Sequence, residues 1–93
     1  MIRSFANEST RRVFARDREP AFSQQLQRAA WKKLAMLHAA GSLADLRVPP
    51  GNRLEKLSGR REGQHSVRIN DQWRICFRWR ERDAFDVEIA DYH

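Results

Sequence analysis

Cysteine is almost missing. The 93-residue chain has one, Cys76, so it can form no internal disulfide and fits a reducing compartment. Glycine is scarce at four residues, and none belongs to a Gly-rich phosphate loop. No apolar run approaches the roughly 20 residues that span a bilayer. The opening stretch, MIRSFANEST, lacks the apolar core of a signal peptide. These absences lead to the expectation of a cytoplasmic protein with no membrane contact. Of the three histidines, His38, His65 and His93, no two have a spacing typical of a zinc site. Neither a metal nor another cofactor is expected.

Lysine is nearly missing too, and arginine stands in its place. Of 18 basic residues, 15 are Arg and only Lys32, Lys33 and Lys56 are Lys. Guanidinium forks match phosphate oxygens in pairs and stack on bases, which ammonium does not. The net charge is +6, with a sequence pI of about 10.7. From Arg47 to Arg80 nine basic residues face three acids, Glu55, Glu62 and Asp71. From Asp83 to His93 four acids stand with no Lys or Arg. A basic field of this kind favours a polyanion, with RNA or DNA the first candidate. At 41% hydrophobic and 32% charged, the chain has the balance of a folded protein, and three Trp and five Phe supply anchors for a small core.

The hydrophobic period changes midway along the chain. Ile2 to Phe5 reads as a short strand, and Asn7 or Ser9 as the cap of a brief helix through Val13 and Phe14. Phe22, Leu26, Ala30, Leu34 and Leu37 form one helical stripe, which predicts a helix from Pro20 to Ala40, ended by Gly41. A further helical turn is expected at Leu43 to Arg47, before Pro49-Pro50-Gly51. Period two then takes over. A short strand at Leu54 to Leu57 precedes a three-stranded antiparallel meander. Its apolar face is expected to carry Val67, Ile69, Trp73, Ile75, Phe77, Trp79, Phe85, Val87 and Ile89. Its other face is expected to carry Arg68, Arg74, Arg78, Arg80 and, by parity from Glu88, Tyr92.

Four arginines on one sheet face suggest a surface that grips phosphate. The plainer alternative is a solvated face with Asp86 and Glu88 interleaved. The tail Asp91-Tyr92-His93 gains meaning beside that face. Ribonuclease chemistry needs a base for a ribose 2′-hydroxyl, an acid for the leaving 5′-oxygen and cations for the crowded phosphate. Imidazole suits either proton role. Tyr92 could stack on a base or, with its pKa lowered by arginines, pass a proton. In the segment NRLEKL, residues Arg53, Glu55 and Lys56 are either a polar edge strand or a further wall of the same cleft.

The run Leu54-x-x-Leu57-x-Gly59-x-Arg61-x-Gly63-x-x-Ser66-x-Arg68-x-x-x-x-Trp73-Arg74-x-x-Phe77, with the closing Asp91-Tyr92-His93, resembles the RelE/ParE superfamily. It looks most like the HigB, or plasmid maintenance killer, branch, and the segments MIRSF, VPPGNRLEKLSG and INDQWRICFRW fit that branch as well. The resemblance implies an α+β fold, one domain over residues 1–93, with two N-terminal helices packed on one face of a mostly antiparallel four- to five-stranded sheet. It implies a toxin of a type II toxin–antitoxin pair, a ribosome-dependent mRNA endonuclease that cuts codons in the A site without a metal and so blocks translation and growth. The 2′-oxygen would attack the adjacent phosphate, leaving a 2′,3′-cyclic phosphate and a 5′-hydroxyl. The implied partners are the ribosome with its mRNA and a HigA-like helix-turn-helix antitoxin, in a heterotetramer.

Carried over by position, Asp91, Tyr92 and His93 match the catalytic tail, and Arg74 matches a residue that steadies the phosphate, assisted by Arg68. Arg53, Lys56, Arg60, Arg61 and Arg78 are the expected RNA contacts. Some relatives place a His where this chain has Glu55, so Glu55, Asp91 and His93 all stand as the general base. Two other readings remain open: a ParE-like gyrase poison and a non-catalytic basic RNA-binding module.

Overall fold

The computed structural model describes residues 1–91. Helix α1 spans Glu8–Phe14 and helix α2 spans Gln24–Ala39. Four strands follow: β1 (Glu55–Lys56), β2 (His65–Arg68), β3 (Trp73–Arg80) and β4 (Asp83–Asp91). They pair antiparallel in chain order, β1-β2-β3-β4. This is the expected α+β architecture of two helices on a four-stranded sheet. Among the described residues no helix is long and apolar enough to cross a membrane.

Both helices begin where a side chain can take an orphan backbone N–H. Asn7 accepts from the Thr10 amide at 2.9 Å, and Ser23 accepts from the Leu26 amide at 3.1 Å. The second helix therefore starts after Ser23, not at Pro20. Phe22 falls outside it and packs edge-on against Trp73, with ring centroids 5.5 Å apart. The remaining stripe, Leu26, Ala30, Leu34 and Leu37, is buried against the sheet residues Val67, Ile75, Phe77 and Val87. Leu34, Leu37, Ile75 and Phe77 have no exposed surface, and each such side chain stabilises the fold by about 1.5–3 kcal/mol.

The first residues do not form a full strand. Ile2 and Phe5 make two isolated parallel bridges to Ala84 and Val87 on the outer edge of β4. The Ile2 amide also donates to His38 Nδ1 at 3.1 Å, which gives this late helix histidine a definite structural partner.

One expected face assignment is overturned. On β4, Asp86 and Val87 together oppose Phe77, between the pairs Cys76–Glu88 and Arg78–Phe85. Asp86 has a φ of 52°, so the extra residue is a β-bulge. The bulge shifts the parity of β4 by one residue. Ala84, paired with Trp79, fills the core with no exposed surface. Phe85 instead pairs with Arg78 on the opposite face, where the Arg80 guanidinium lies 5.0 Å from its ring centroid.

Candidate functional site on the outer sheet face

The helices cover the face of the sheet that carries Ile75 and Phe77. The other face is built on Arg74. Register places Arg74 between Arg68 on β2 and Ala90 on β4. Its side chain is buried, with the residue only 7% exposed, so its charge must be met by nearby acceptors. Nε donates to Ser66 Oγ at 2.7 Å. Nη2 donates to the Arg53 carbonyl at 2.6 Å and to the Ser66 carbonyl at 3.4 Å. The Glu55 carboxylate, half-exposed on β1, lies 4.0 Å from Nη2. Glu55 pairs with Ser66 in the ladder, which puts it on this same face.

The Arg53 carbonyl is aimed by the loop before it. Pro50–Asn52 forms a 3-10 turn, and Arg53 leaves it in the left-handed region with φ 44° and ψ 57°. Asn52 pins that turn and is fully buried. Its Nδ2 donates to the carbonyls of Leu46 (3.1 Å) and Val48 (3.3 Å), while its Oδ1 accepts from Lys33 Nζ at 2.5 Å. Burial pushes the Lys33 ammonium below its ordinary pKa, and the charge of Arg68 adds to the effect.

Beside Arg74, Leu57, Cys76 and Ala90 make a small apolar floor. Burial pushes the Cys76 thiol up; Arg61 and Arg74 pull it down, and Glu88 adds to the rise. The rim is cross-braced. Arg61 donates to Gln64 Oε1 and Glu88 Oε1, each at 3.1 Å. Arg78 lies 3.6 Å from the Asp86 carboxylate and donates to the Glu62 carbonyl at 3.4 Å. A Cβ built on Gly63 would stand 2.7 Å from Arg78 Nη1, and Gly63 has φ 88°, so this corner requires glycine. Arg68 is paired with Asp71 across the β2–β3 turn.

The residues expected from the sequence thus divide. Glu55 and Arg74 come together, with the Arg53 backbone between the loop and the strand. Arg61 and Arg78 frame the same face, and Arg60 is exposed on the adjoining 3-10 turn. Lys56 pairs with His65 and belongs to the opposite side of the ladder from Glu55. Asp91 pairs with Trp73, so it too lies across the sheet from Arg74, where its Oδ2 accepts from Gln72 Nε2 at 3.2 Å. The expectations placed on Tyr92 and His93 lie outside the described residues. Ser66 had no assigned role in the sequence, and neither did the Arg53 carbonyl. For Ser66 a signal existed: the Asn70-Asp71 turn sets Arg68 against Arg74, which puts Ser66 diagonally beside the Arg74 side chain. The left-handed Arg53 left no such mark.

This arrangement offers a fixed cation, a nearby carboxylate and an arginine rim on one face. It is suited to holding a phosphate while a proton moves. Toxin HigB-1 of Vibrio cholerae serotype O1 (strain ATCC 39315 / El Tor Inaba N16961) is 42% identical over 64 residues, covering 69% of this chain and 67% of the relative. An uncharacterized protein of Haemophilus influenzae (strain ATCC 51907 / DSM 11121 / KW20 / Rd) is 30% identical over 73 residues, covering 78% of this chain and 72% of that one. The family described as the RelE-like toxin of type II toxin-antitoxin system HigB matches residues 3–93. The fold, the arginine-lined face and these matches agree: the chain belongs to the HigB-like family of type II toxin–antitoxin toxins.

Proposed function

We propose that the chain is a ribosome-dependent mRNA endonuclease that cuts codons in the A site, acting in the cytoplasm. The observation that carries this reading is the buried Arg74 guanidinium, clamped by Ser66 and Arg53 with Glu55 at 4.0 Å. An RNA phosphate entering this face would compete with Glu55 for the cation. A base removes the proton of a ribose 2′-hydroxyl, and the 2′-oxygen attacks the adjacent phosphorus. The bond to the 5′-oxygen breaks and an acid protonates it, leaving a 2′,3′-cyclic phosphate and a 5′-hydroxyl. Arg74 offsets the charge gathering on the phosphate oxygens. Glu55 and His93 are the proton-transfer pair in this proposal, and Tyr92 stacks on or orients the cut nucleotide. Asp91 steadies the end of β4 through Gln72. Arg53, Arg60, Arg61, Arg68 and Arg78 hold RNA on the same face, with Lys56 contacting it from the edge. All steps use protein side chains, and the ribosome supplies the alignment of the message.

The test is to express the wild type, Arg74→Ala and a chain lacking Tyr92 and His93, and to map message ends. Codon-phased cuts from the wild type alone support the reading. Full toxicity of the truncated chain overturns the tail assignment, and DNA damage without cut message replaces the nuclease with a gyrase poison. Membership of a toxin–antitoxin family implies an antitoxin partner. We propose a HigA-like helix-turn-helix protein, joined to the toxin in a heterotetramer.

A further inference from the structure

The side chain of Asn52 stands between helix α2 and the loop that ends at Arg53, with no exposed surface. Its oxygen and nitrogen point to different elements. Oδ1 accepts from Lys33 Nζ at 2.5 Å, and Nδ2 donates to the carbonyls of Leu46 and Val48, at 3.1 and 3.3 Å. Turning the amide over would set its N–H groups against the Lys33 ammonium and its oxygen against two carbonyls, so the ammonium decides which way the amide faces. Lys33 is half-buried on α2 and is one of three lysines among 18 basic residues. A compact ammonium suits a single oxygen, whereas a guanidinium fork is matched to two.

The turn fixed in this way carries Arg53 into the left-handed region. The amides of Asn52 and Arg53 donate to the carbonyls of Pro49 and Pro50, at 3.0 and 3.1 Å, and Arg53 then takes φ 44° and ψ 57°. A non-glycine residue is strained there and holds that conformation only while its surroundings impose it. The result is a carbonyl 2.6 Å from Arg74 Nη2. The same nitrogen lies 4.0 Å from the Glu55 carboxylate. A carbonyl that withdraws lets Nη2 turn to Glu55, which joins two groups that the reaction uses separately.

We infer that Lys33 and Asn52 are positioning residues for Arg74: they act through the Arg53 carbonyl to hold its guanidinium plane and touch no substrate themselves. The inference rests on the nuclease reading for its chemistry. Nε on Ser66 Oγ and Nη2 on the Arg53 carbonyl fix the plane at two points, and the second depends on the relay from α2. Lost alignment of this kind slows the reacting step without weakening the hold on the message. An asparagine that only closed a loop would support the fold and leave Arg74 as it is.

The test uses the purified full chain on ribosomes carrying a translated message, with cleavage followed through a single turnover. Lys33→Met, which keeps the stem, and Asn52→Ala are each made in the wild type and in an Arg74→Lys background. In the wild-type background the maximal rate is expected to fall about 10–10²-fold, with the half-saturating toxin concentration changed by less than about twofold. In the Arg74→Lys background the same changes are expected to add less than about twofold. An equal loss in both backgrounds, or none in either, overturns the inference, since a structural role acts whatever residue occupies position 74. Exchange of the Arg74 Nε–H with water, read by NMR and assigned by its disappearance in Arg74→Lys, is expected to quicken roughly tenfold in both variants in native buffer. Unchanged exchange overturns the inference by itself. Should Asn52→Ala unfold, Lys33→Met, which alters a half-exposed side chain, decides alone. Failure of the nuclease reading shows separately, as uncut message from the wild type, and the exchange measurement then decides whether Lys33 and Asn52 hold Arg74.

Discussion

The hydroxyl of Thr10 in α1 accepts the backbone N–H of Ile89 in β4 at 3.0 Å, across 79 positions of chain. It is the last of a series of bonds that close the outer edge of β4. The amides of Arg3 and Ala6 donate to the carbonyls of Ala84 and Val87, at 2.8 and 2.9 Å, and the Val87 amide donates to the Ser4 carbonyl at 3.1 Å. Ser4 Oγ accepts the amide of Asp86 at 2.9 Å. An edge that would otherwise invite pairing with another chain is covered by the chain's own first ten residues.

Thr10→Val keeps the shape and removes the acceptor. The Ile89 amide is then buried without a partner, at a cost of about 1–3 kcal/mol, while Thr10→Ser restores most of the loss. Urea unfolding of the three proteins checks both signs. Because Ile89 lies two residues before Asp91, message cleavage should fall in Thr10→Val and recover in Thr10→Ser.

Arg74→Lys keeps the charge but cannot reproduce the three donations to Ser66 and Arg53. Cleavage is expected to drop about 10²–10³-fold, as for loss of one charge-stabilising donor in an active site. Ser66→Ala should destabilise by about 1–3 kcal/mol, because a buried charged donor loses its acceptor. Primer extension across a translated message, alongside thermal melts, separates the catalytic loss from the structural one.

Burial lowers the pKa of His65 from 6.5, and Lys56 adds to the shift. Its ring stacks on Phe77 at 6.2 Å, and Nδ1 is buried with no partner among the described residues. The unfolded chain therefore takes up a proton near pH 6.5 while the folded chain resists until lower pH. The stability linked to this histidine is fully present above pH 6.5 and is lost as pH falls from there through the lowered folded value. His65→Phe should flatten the decline in urea midpoint between about pH 7.5 and pH 5.5.

Cys76 has no exposed surface, and burial raises its pKa. Its alkylation should follow unfolding and not the ordinary thiol rate. Labelling with iodoacetamide in increasing urea, followed by mass spectrometry, is expected to trace the unfolding curve. Rapid labelling in native buffer would refute the buried floor beside Arg74.

Ala84→Asp should destabilise far more than Phe85→Asp, since Ala84 is in the core and Phe85 lies under Arg80 on the other face. A carboxylate forced into the core costs several kcal/mol, and one placed beside Arg80 costs little. Chemical denaturation of the pair reads the bulge directly.

The amino-acid order by itself determined the helical stripe Leu26-Ala30-Leu34-Leu37, the alternation from Trp73 to Arg80, and the arginine face with Arg74; it left open whether Glu55 joins that face. Each follows from a local period of side chains that must leave or meet water. It did not reveal the bulge at Asp86. Phe85, Val87 and Ile89 alternate without a break, and nothing local marks the extra residue. The bulge depends on partners from distant parts of the chain, Ser4 on one side and Phe77 on the other. The same holds for the Arg53 carbonyl, aimed by a turn that Asn52 anchors to Leu46 and Lys33. Periodicity fixes which face a residue prefers within its own element. Only tertiary hydrogen bonding decides where that period slips and which backbone groups turn toward a buried charge.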